Sequence, residues 1–145
     1  MVVRGGNLPT GEDSDDLLTW LGGLSGPQPI SHARLLVCEQ HGDERPMWQY
    51  VEADAAAGVA RRRCLACANV VYALDSDERW THPPMWACQG CGHSIMEVAA
   101  GLSTAQDDRV SWVVLAVRCP ECGRLGGITD LVVDNLPFDQ VLSEL

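Results

Sequence analysis

The stretch CPECGRLGG, Cys119 to Gly127, places two thiols three positions apart with a glycine directly after the second. The same pattern occurs earlier as CQGCG, Cys88 to Gly92. Each pair can form a tight turn that aims both sulfurs at one ion, and the glycine permits the backbone conformation that such a turn needs. Four thiolates that leave no open position are typical of structural zinc. We therefore predict one metal site formed by Cys88, Cys91, Cys119 and Cys122.

A second group of potential ligands lies upstream, as CEQH (Cys38–His41) and CLAC (Cys64–Cys67). Imidazole is an accepted substitute for a thiolate at this spacing, so the group predicts a site with three cysteines and one histidine. Ala68 stands where glycine often follows such a pair. The predicted ligands are Cys38, His41, Cys64 and Cys67, with His32 and His82 as the open alternatives to His41.

The two groups of ligands belong to an internal repeat. Cys38 and Cys88 are 50 positions apart, and Cys64 and Cys119 are 55 apart. In each copy the first pair is followed by a strand-like segment, a polar turn and a returning segment that ends in Arg-Cys. The extra residues of the second copy fall in its longer hairpin. An internal duplication is the economical interpretation.

These motifs resemble those of the zinc-ribbon family, and the resemblance covers about residues 35 to 133. It implies a small, metal-stabilised, mainly β fold of two tandem zinc ribbons, each with two cysteine turns on a three-stranded antiparallel framework. It also implies two Zn²⁺ ions, but no particular task, because zinc ribbons are a fold shared by many functions. The second site is similar to the iron site of the rubredoxin family as well. Iron at that site, in an electron carrier, is therefore an alternative.

The remaining segments complete the predicted organisation. Residues 1–31 are predicted to form a flexible acidic tail, 32–76 the first ribbon, 77–134 the second ribbon and 135–145 a C-terminal helix that Asn135 could cap. Within the tail, Ser14 can cap a short amphipathic helix. Its apolar side chains are predicted to dock on the domain or on a partner protein, and they are Leu17, Leu18, Trp20, Leu21 and Leu24.

Composition limits the choice of function. The formal net charge is −10, which favours a basic patch of another protein as the partner and disfavours nucleic acid. The apolar side chains of residues 17–24 fit an apolar patch of such a partner. The only basic cluster, Arg61, Arg62 and Arg63, is the candidate surface for the alternative of nucleic-acid or ribosome binding. The longest apolar run, Val110–Val117, is too short to cross a bilayer, so no membrane partner is expected.

The predicted function is that of a non-enzymatic adaptor or regulator, because neither site leaves a ligand position for water, which catalytic zinc requires. We expect a cytoplasmic protein, since residues 1–6 have no apolar core of the kind found in a signal peptide. Seven cysteines, an odd number that mostly fall in close pairs, favour metal over disulfides. The absence of lysine beside abundant alanine, glycine and arginine is suggestive of a bacterial source.

Overall fold

The computed structural model describes residues 2, 9–24, 29–41, 48–105 and 107–145. Strands dominate this part of the chain, which confirms a mainly β fold. Neither described helix is long and apolar enough to cross a membrane. The helices are α1 (Ser14–Gly22) and α2 (Phe138–Ser143), and the strands are β1 (His32–Leu36), β2 (Trp48–Asp54), β3 (Val59–Cys64), β4 (Val70–Tyr72), β5 (Met96–Thr104), β6 (Arg109–Arg118) and β7 (Leu125–Pro137).

All the strands belong to one antiparallel sheet. Its order is β4-β3-β2-β5-β6-β7, and β1 also pairs with β5. The predicted repeat is visible as two three-stranded units, β2-β3-β4 and β5-β6-β7. They join through the first strand of each, where Trp48 pairs with Glu97 and Gln49 with Met96. The two halves of the chain therefore share one sheet.

The segment that leads into each half lies on the other half. β1 precedes the first ligand pair, yet it pairs with β5 of the second unit, for example Leu36 with Val98. In the same way, the residues before the second ligand pair contact the first unit, because Met85 bridges to Glu52 in β2. Residues on both sides of the predicted boundary between 76 and 77 therefore pair with strands of the other half.

Apolar side chains cover both faces of the central strands. Residues of β5 alternate between the faces, as strand geometry requires, so that Met96 and Val98 lie on one face and Ala99 on the other. The first face carries the larger cluster, which also includes Val141 and Leu145 from the C-terminal end. On the second face, α1 covers Ala99 and its neighbours. Both layers of this core are assembled around β5 and β6.

The structure differs from the predicted flexible tail between residues 9 and 24. The helix begins one residue earlier than predicted, because the carboxylate of Asp13 accepts a hydrogen bond from the Asp16 N–H at 2.9 Å and serves as the N-cap. Leu17 and Leu21 are completely buried against the sheet. A helix of nine residues is marginal alone, and burial of its apolar side chains stabilises it here. The rest of the predicted tail up to residue 28, namely 1, 3–8 and 25–28, lies outside the described residues, apart from Val2.

The C-terminal helix is shorter than predicted. β7 continues to Pro137, which pairs with Arg109, and the helix starts only at Phe138. Asn135 therefore lies within the strand, with a positive φ of 52°, and does not cap the helix. No side chain caps this helix, since Pro137 occupies the N-cap position. Extension of the β6–β7 ladder accounts for the difference.

Candidate metal centres

The second predicted site is a compact group of four sulfurs at the start of β5 and between β6 and β7. Cys88 Sγ lies 3.5 Å from Cys122 Sγ, and Cys91 Sγ lies 3.5 Å from Cys119 Sγ. Each of these contacts joins the two cysteine turns, and all four sulfurs lie within 4.8 Å of one another. Cys88 and Cys119 are buried, whereas Cys91 and Cys122 are exposed. The group is thus anchored in the core and reaches the surface.

The first site has the same organisation, with His41 as its fourth member. Cys38 Sγ lies 3.7 Å from Cys67 Sγ, and His41 Nε2 lies 3.5 Å from Cys64 Sγ. These four ligand atoms also lie within 4.8 Å of one another. His41 ends a short 3₁₀ turn that starts at Glu39, directly after the buried Cys38. This turn brings the imidazole back toward the sulfurs.

The two alternative histidines lie elsewhere. The ring of His32 packs against Phe138, with 4.6 Å between ring centroids. His82 is exposed in the segment before the second site, with a positive φ of 55°. Neither belongs to a group of potential ligands in the described part of the chain. Of the three candidates, the structure therefore brings only His41 to the first site.

The separations fit a tetrahedral metal ion. With metal–sulfur bonds of about 2.3 Å, tetrahedral geometry separates neighbouring sulfurs by about 3.8 Å, and a sulfur from an imidazole nitrogen by about 3.6 Å. Four contacts between turns fall between 3.5 and 3.7 Å, and all ligand atoms of a group lie within 4.8 Å of one another. Each group therefore surrounds a space of the right size for one ion.

Left-handed backbone closes three of the cysteine turns. Gly92 and Gly123 both have φ of 77°, and Ala68 adopts a φ of 62° at the matching place. In each case the N–H of this residue donates to the carbonyl of the first cysteine of the pair, at 2.7 to 2.9 Å. The fourth position, Gly42, lies outside the described residues. Ala68 therefore carries a Cβ in a conformation that costs about 1 kcal/mol more than for glycine.

Replacing Ala68 by glycine is expected to stabilise the first site. Ala68→Gly relieves the left-handed strain, although the greater freedom of the unfolded glycine offsets part of the gain. We expect an increase of up to about 1 kcal/mol in the free energy of unfolding, measured by urea denaturation. The reverse change in the second site, Gly92→Ala, has open space around its Cβ and serves as the matched control. It should destabilise, and a loss of stability in Ala68→Gly would contradict the prediction.

Burial and the N–H groups of the turns shift the pKa values of the buried cysteines in opposite directions. Burial acts to raise the pKa of Cys88, but N–H groups of its own turn, including that of Gly90, outweigh it and lower the pKa to about 7. Burial raises the pKa of Cys119 to about 12. The first site repeats this division: turn N–H groups outweigh burial and lower the pKa of Cys64 to about 7, whereas burial raises that of Cys38. A bound cation would offset the repulsion between thiolates and favour ionisation of them all.

The N-terminal arm is attached to the second site. Gly11 N–H donates to Gly123 C=O at 2.7 Å, and Leu125 N–H donates to Pro9 C=O at 2.9 Å. A Cβ on Gly123 would lie only 2.7 Å from Gly11 O, so glycine is needed here for close approach as well as for its positive φ. The cysteine turn at Gly123 and the docking of α1 are therefore structurally connected.

The five apolar residues predicted to bind a partner lie on or just after α1. Leu17 and Leu21 are buried in the protein's own core, which leaves them inaccessible to a partner in this conformation. Leu18, Trp20 and Leu24 are half-buried and pack against the same cluster. Their placement agrees with the alternative in which the helix docks on its own domain.

The arginines of the basic cluster make contacts within the protein. Arg61 Nε and Nη2 donate to the two carboxylate oxygens of Glu52 at 3.0 and 2.8 Å, and its guanidinium lies 4.6 Å from the ring centroid of Trp80. Arg63 lies over the ring of Tyr50 at 5.2 Å. The pKa of Arg61 is raised, chiefly by the hydrogen bonds to Glu52. Neutralisation by Glu52 reduces the positive field that nucleic-acid binding would use.

Arg62 links three parts of the chain below the first site. Its guanidinium donates to the Leu145 carbonyl at 2.8 Å, to Gln49 Oε1 at 2.8 Å and to the Val37 carbonyl at 3.1 Å. Gln49 in turn donates to the Leu36 carbonyl at 2.6 Å. This arginine therefore connects the C-terminal end to the segment before the first site, and its guanidinium stabilises the fold.

Sequence reasoning missed a buried ion pair where the two halves of the sheet meet. Arg118 Nη2 donates to Glu97 Oε2 at 3.1 Å, and their side chains are only 9% and 1% exposed. The guanidinium also lies 6.0 Å from the ring centroid of Trp48. The available signal was one charged residue in each of two apolar segments, IMEVAAGL and VVLAVRC.

Comparison of the chain with protein-family models, with curated proteins and with solved structures finds no match.

Proposed function

We propose that this chain is a non-enzymatic zinc protein, a tandem zinc ribbon that acts as an adaptor or regulator through contact with another protein. The observation that carries the proposal is the pair of four-ligand groups, in each of which two contacts of 3.5 to 3.7 Å join the turns and all ligand atoms lie within 4.8 Å of one another. Zinc bound in such closed groups is structural and contributes directly to the free energy of folding.

The ligand chemistry favours zinc over other metals. Three thiolates with one imidazole form a common structural zinc shell, and the internal repeat suggests the same ion in both sites. A shell of four thiolates also suits iron, so the second site is where a rubredoxin-like electron carrier would differ. A catalytic ion would need a position for water, and each group already offers four side-chain ligands.

Action through another protein is supported by the surface. The chain has a formal net charge of −10, which complements basic partners. Large apolar side chains are exposed at Leu65, Val70, Met85 and Val132. Basic or apolar patches are therefore the expected features of the partner.

Metal analysis of the purified protein tests the proposal. Native mass spectrometry with elemental analysis should find two zinc ions per chain, and His41→Ala should lose one of them or bind it far more weakly. His82→Ala removes an imidazole that lies outside both groups and should keep two. Iron in place of zinc at the second site would favour the electron carrier, and absence of metal from both sites would overturn the proposal.

A further inference from the structure

Among the described residues, one edge of β7 has a partner only at its start. β7 pairs with β6 on one side. On its other side, only the start of the strand has a partner among the described residues, through the bridge between Thr10 and Arg124 and the bond from Leu125 N–H to Pro9 C=O. The chain's own arm thus shows that this edge accepts an extended, antiparallel segment. Beyond Leu125, no described strand pairs with it.

A groove follows this edge of β7. It consists of two adjoining cavities of about 400 and 410 Å³, which share Leu74, Asp75 and Val132. We call it the edge groove, and its walls are β7 on one side and the turn around Asp75 on the other. Gly58, at the tip of the β2–β3 hairpin, closes one end near the Asp130 carbonyl. The groove is long enough for several extended residues beside residues 130–134, at about 3.3 Å per residue.

The exposed side chains of β7 beside the groove follow the order acidic, apolar, acidic. Leu131 and Val133 point into the core, whereas Asp130, Val132 and Asp134 are exposed. Val132 is 90% exposed, the most of any large apolar side chain in the described chain. Natural edge strands normally avoid such a side chain, because it promotes pairing with another chain. Val132 is therefore an apolar anchor point between two carboxylates.

The surroundings of the groove are acidic as well. Four further carboxylates line its two cavities, and one arginine, Arg79, pairs with Asp75 at 3.1 Å. Those four residues are Asp75, Asp77, Glu78 and Glu144. The charge of the groove therefore complements a segment that carries lysine or arginine.

We propose that the edge groove binds an extended segment of a partner protein with the pattern basic–x–apolar–x–basic, which adds to the sheet as an antiparallel strand beside β7. The apolar residue lies opposite Val132, and the basic residues lie opposite Asp134 and Asp130. Main-chain hydrogen bonds give affinity in this mode and the alternate side chains give specificity. The inference names the partner class for the protein contact proposed above and rests on that function.

A second copy of this chain is a poorer occupant of the groove. Two antiparallel β7 edges centred on Val132 would set Asp130 of one copy against Asp134 of the other. Like charges directly opposite each other destabilise a strand pair. The charge pattern therefore favours a basic partner over self-association.

Peptide binding to the zinc-loaded protein tests the inference. The probe is a fluorescein-labelled peptide of sequence Gly-Lys-Thr-Val-Thr-Lys-Gly, followed by fluorescence anisotropy at low salt. We expect saturable binding that weakens with added salt. Val132→Lys and Asp134→Lys are each expected to weaken it by about tenfold, because the first loses the apolar cross-strand pair and the second sets lysine opposite lysine. Both side chains are exposed, so the variants should fold.

Matched controls separate strand addition from simple charge attraction. Asp15→Lys makes the same charge change on α1 and should leave the affinity within about twofold. A peptide with glutamate in place of lysine, and one with N-methyl groups on alternate amides, should not bind. Equal binding of either peptide, or unchanged affinity in Val132→Lys, would overturn the inference. So would sedimentation showing a dimer that Val132→Lys dissociates, because a second copy would then occupy the edge.

Metal content measured on the same samples distinguishes two kinds of failure. If the protein holds two zinc ions and does not bind the peptide, the edge groove proposal fails while the zinc assignment stands. If the protein holds no metal, the proposed function fails before the groove is tested.

Discussion

Cys91→Ala is expected to leave the protein without a stable fold at room temperature, whereas Cys91→His should retain one. The side chain of Cys91 is exposed, so its removal creates little cavity, and the effect should come from lost metal. A structural zinc site contributes about 10 kcal/mol or more to folding, which is comparable with the whole stability of a typical domain. The second site also joins β5, β6 and β7, around which both core clusters are assembled.

The histidine variant is the control that the internal repeat provides. Cys91 occupies the place in the second site that His41 occupies in the first, so Cys91→His copies a ligand set already present in the chain. Near-UV circular dichroism during thermal unfolding, with zinc content determined on the same samples, measures the outcome. A cooperative transition in Cys91→Ala at the midpoint of the unmodified protein would contradict a role for this site in folding.

Removal of one partner of the buried ion pair is expected to cause the second largest loss in the free energy of unfolding. Glu97→Ala leaves the Arg118 guanidinium buried without its counter-charge, which typically costs about 3–5 kcal/mol. The pair is already incompletely satisfied, because Glu97 Oε1 and Arg118 Nε have no hydrogen-bond partner among the described residues. We therefore expect the urea midpoint of Glu97→Ala to fall sharply with zinc still bound.

The double variant Glu97→Leu with Arg118→Met tests the cause of that loss. It replaces both charges by apolar groups of similar size, which is often neutral or stabilising at a buried pair. We expect it to recover most of the stability that the single variant loses. A double variant as unstable as the sum of the two single changes would show that the pair contributes a net stabilisation that apolar packing does not replace.

The ligand groups could be predicted from sequence because their signal is local. A spacing of three residues determines whether two side chains can meet at one ion, and this holds whatever surrounds the turn. The repeat supplied the pairing between turns that are separated by 22 residues in the first site and by 27 in the second. For His41, spacing favoured it over His32 and His82, and the structure brings it to the sulfurs of Cys38 and Cys64.

The arrangement of the two halves could not be predicted from those patterns. Each half shows a complete set of turns and strands, and nothing in the spacing states which strand edges meet. The contact between β2 and β5 covers only two residue pairs, so its sequence signal is small. The docking of α1 was left open for a related reason, since an amphipathic stripe fits an intramolecular or an external surface equally well.

The buried pair was missed because acidic and basic residues in a strand normally indicate a solvent-facing side. Glu97 and Arg118 are each the one charged residue in a mostly apolar segment, and Trp48 and the elements around α1 lie on that face of the sheet. Burial of this kind depends on which element covers the strand. That information is tertiary and cannot be read from the strand's own sequence.

The leading segment of each half pairs with a strand of the other half: β1 pairs with β5, and Met85 bridges to β2. A chain cut between the halves would yield two fragments with unpaired strand edges, because each fragment would lack the segment of the other half that pairs with it. We therefore expect heat or denaturant to unfold both halves in one cooperative transition. Metal bound at the two sites would be released in that same transition.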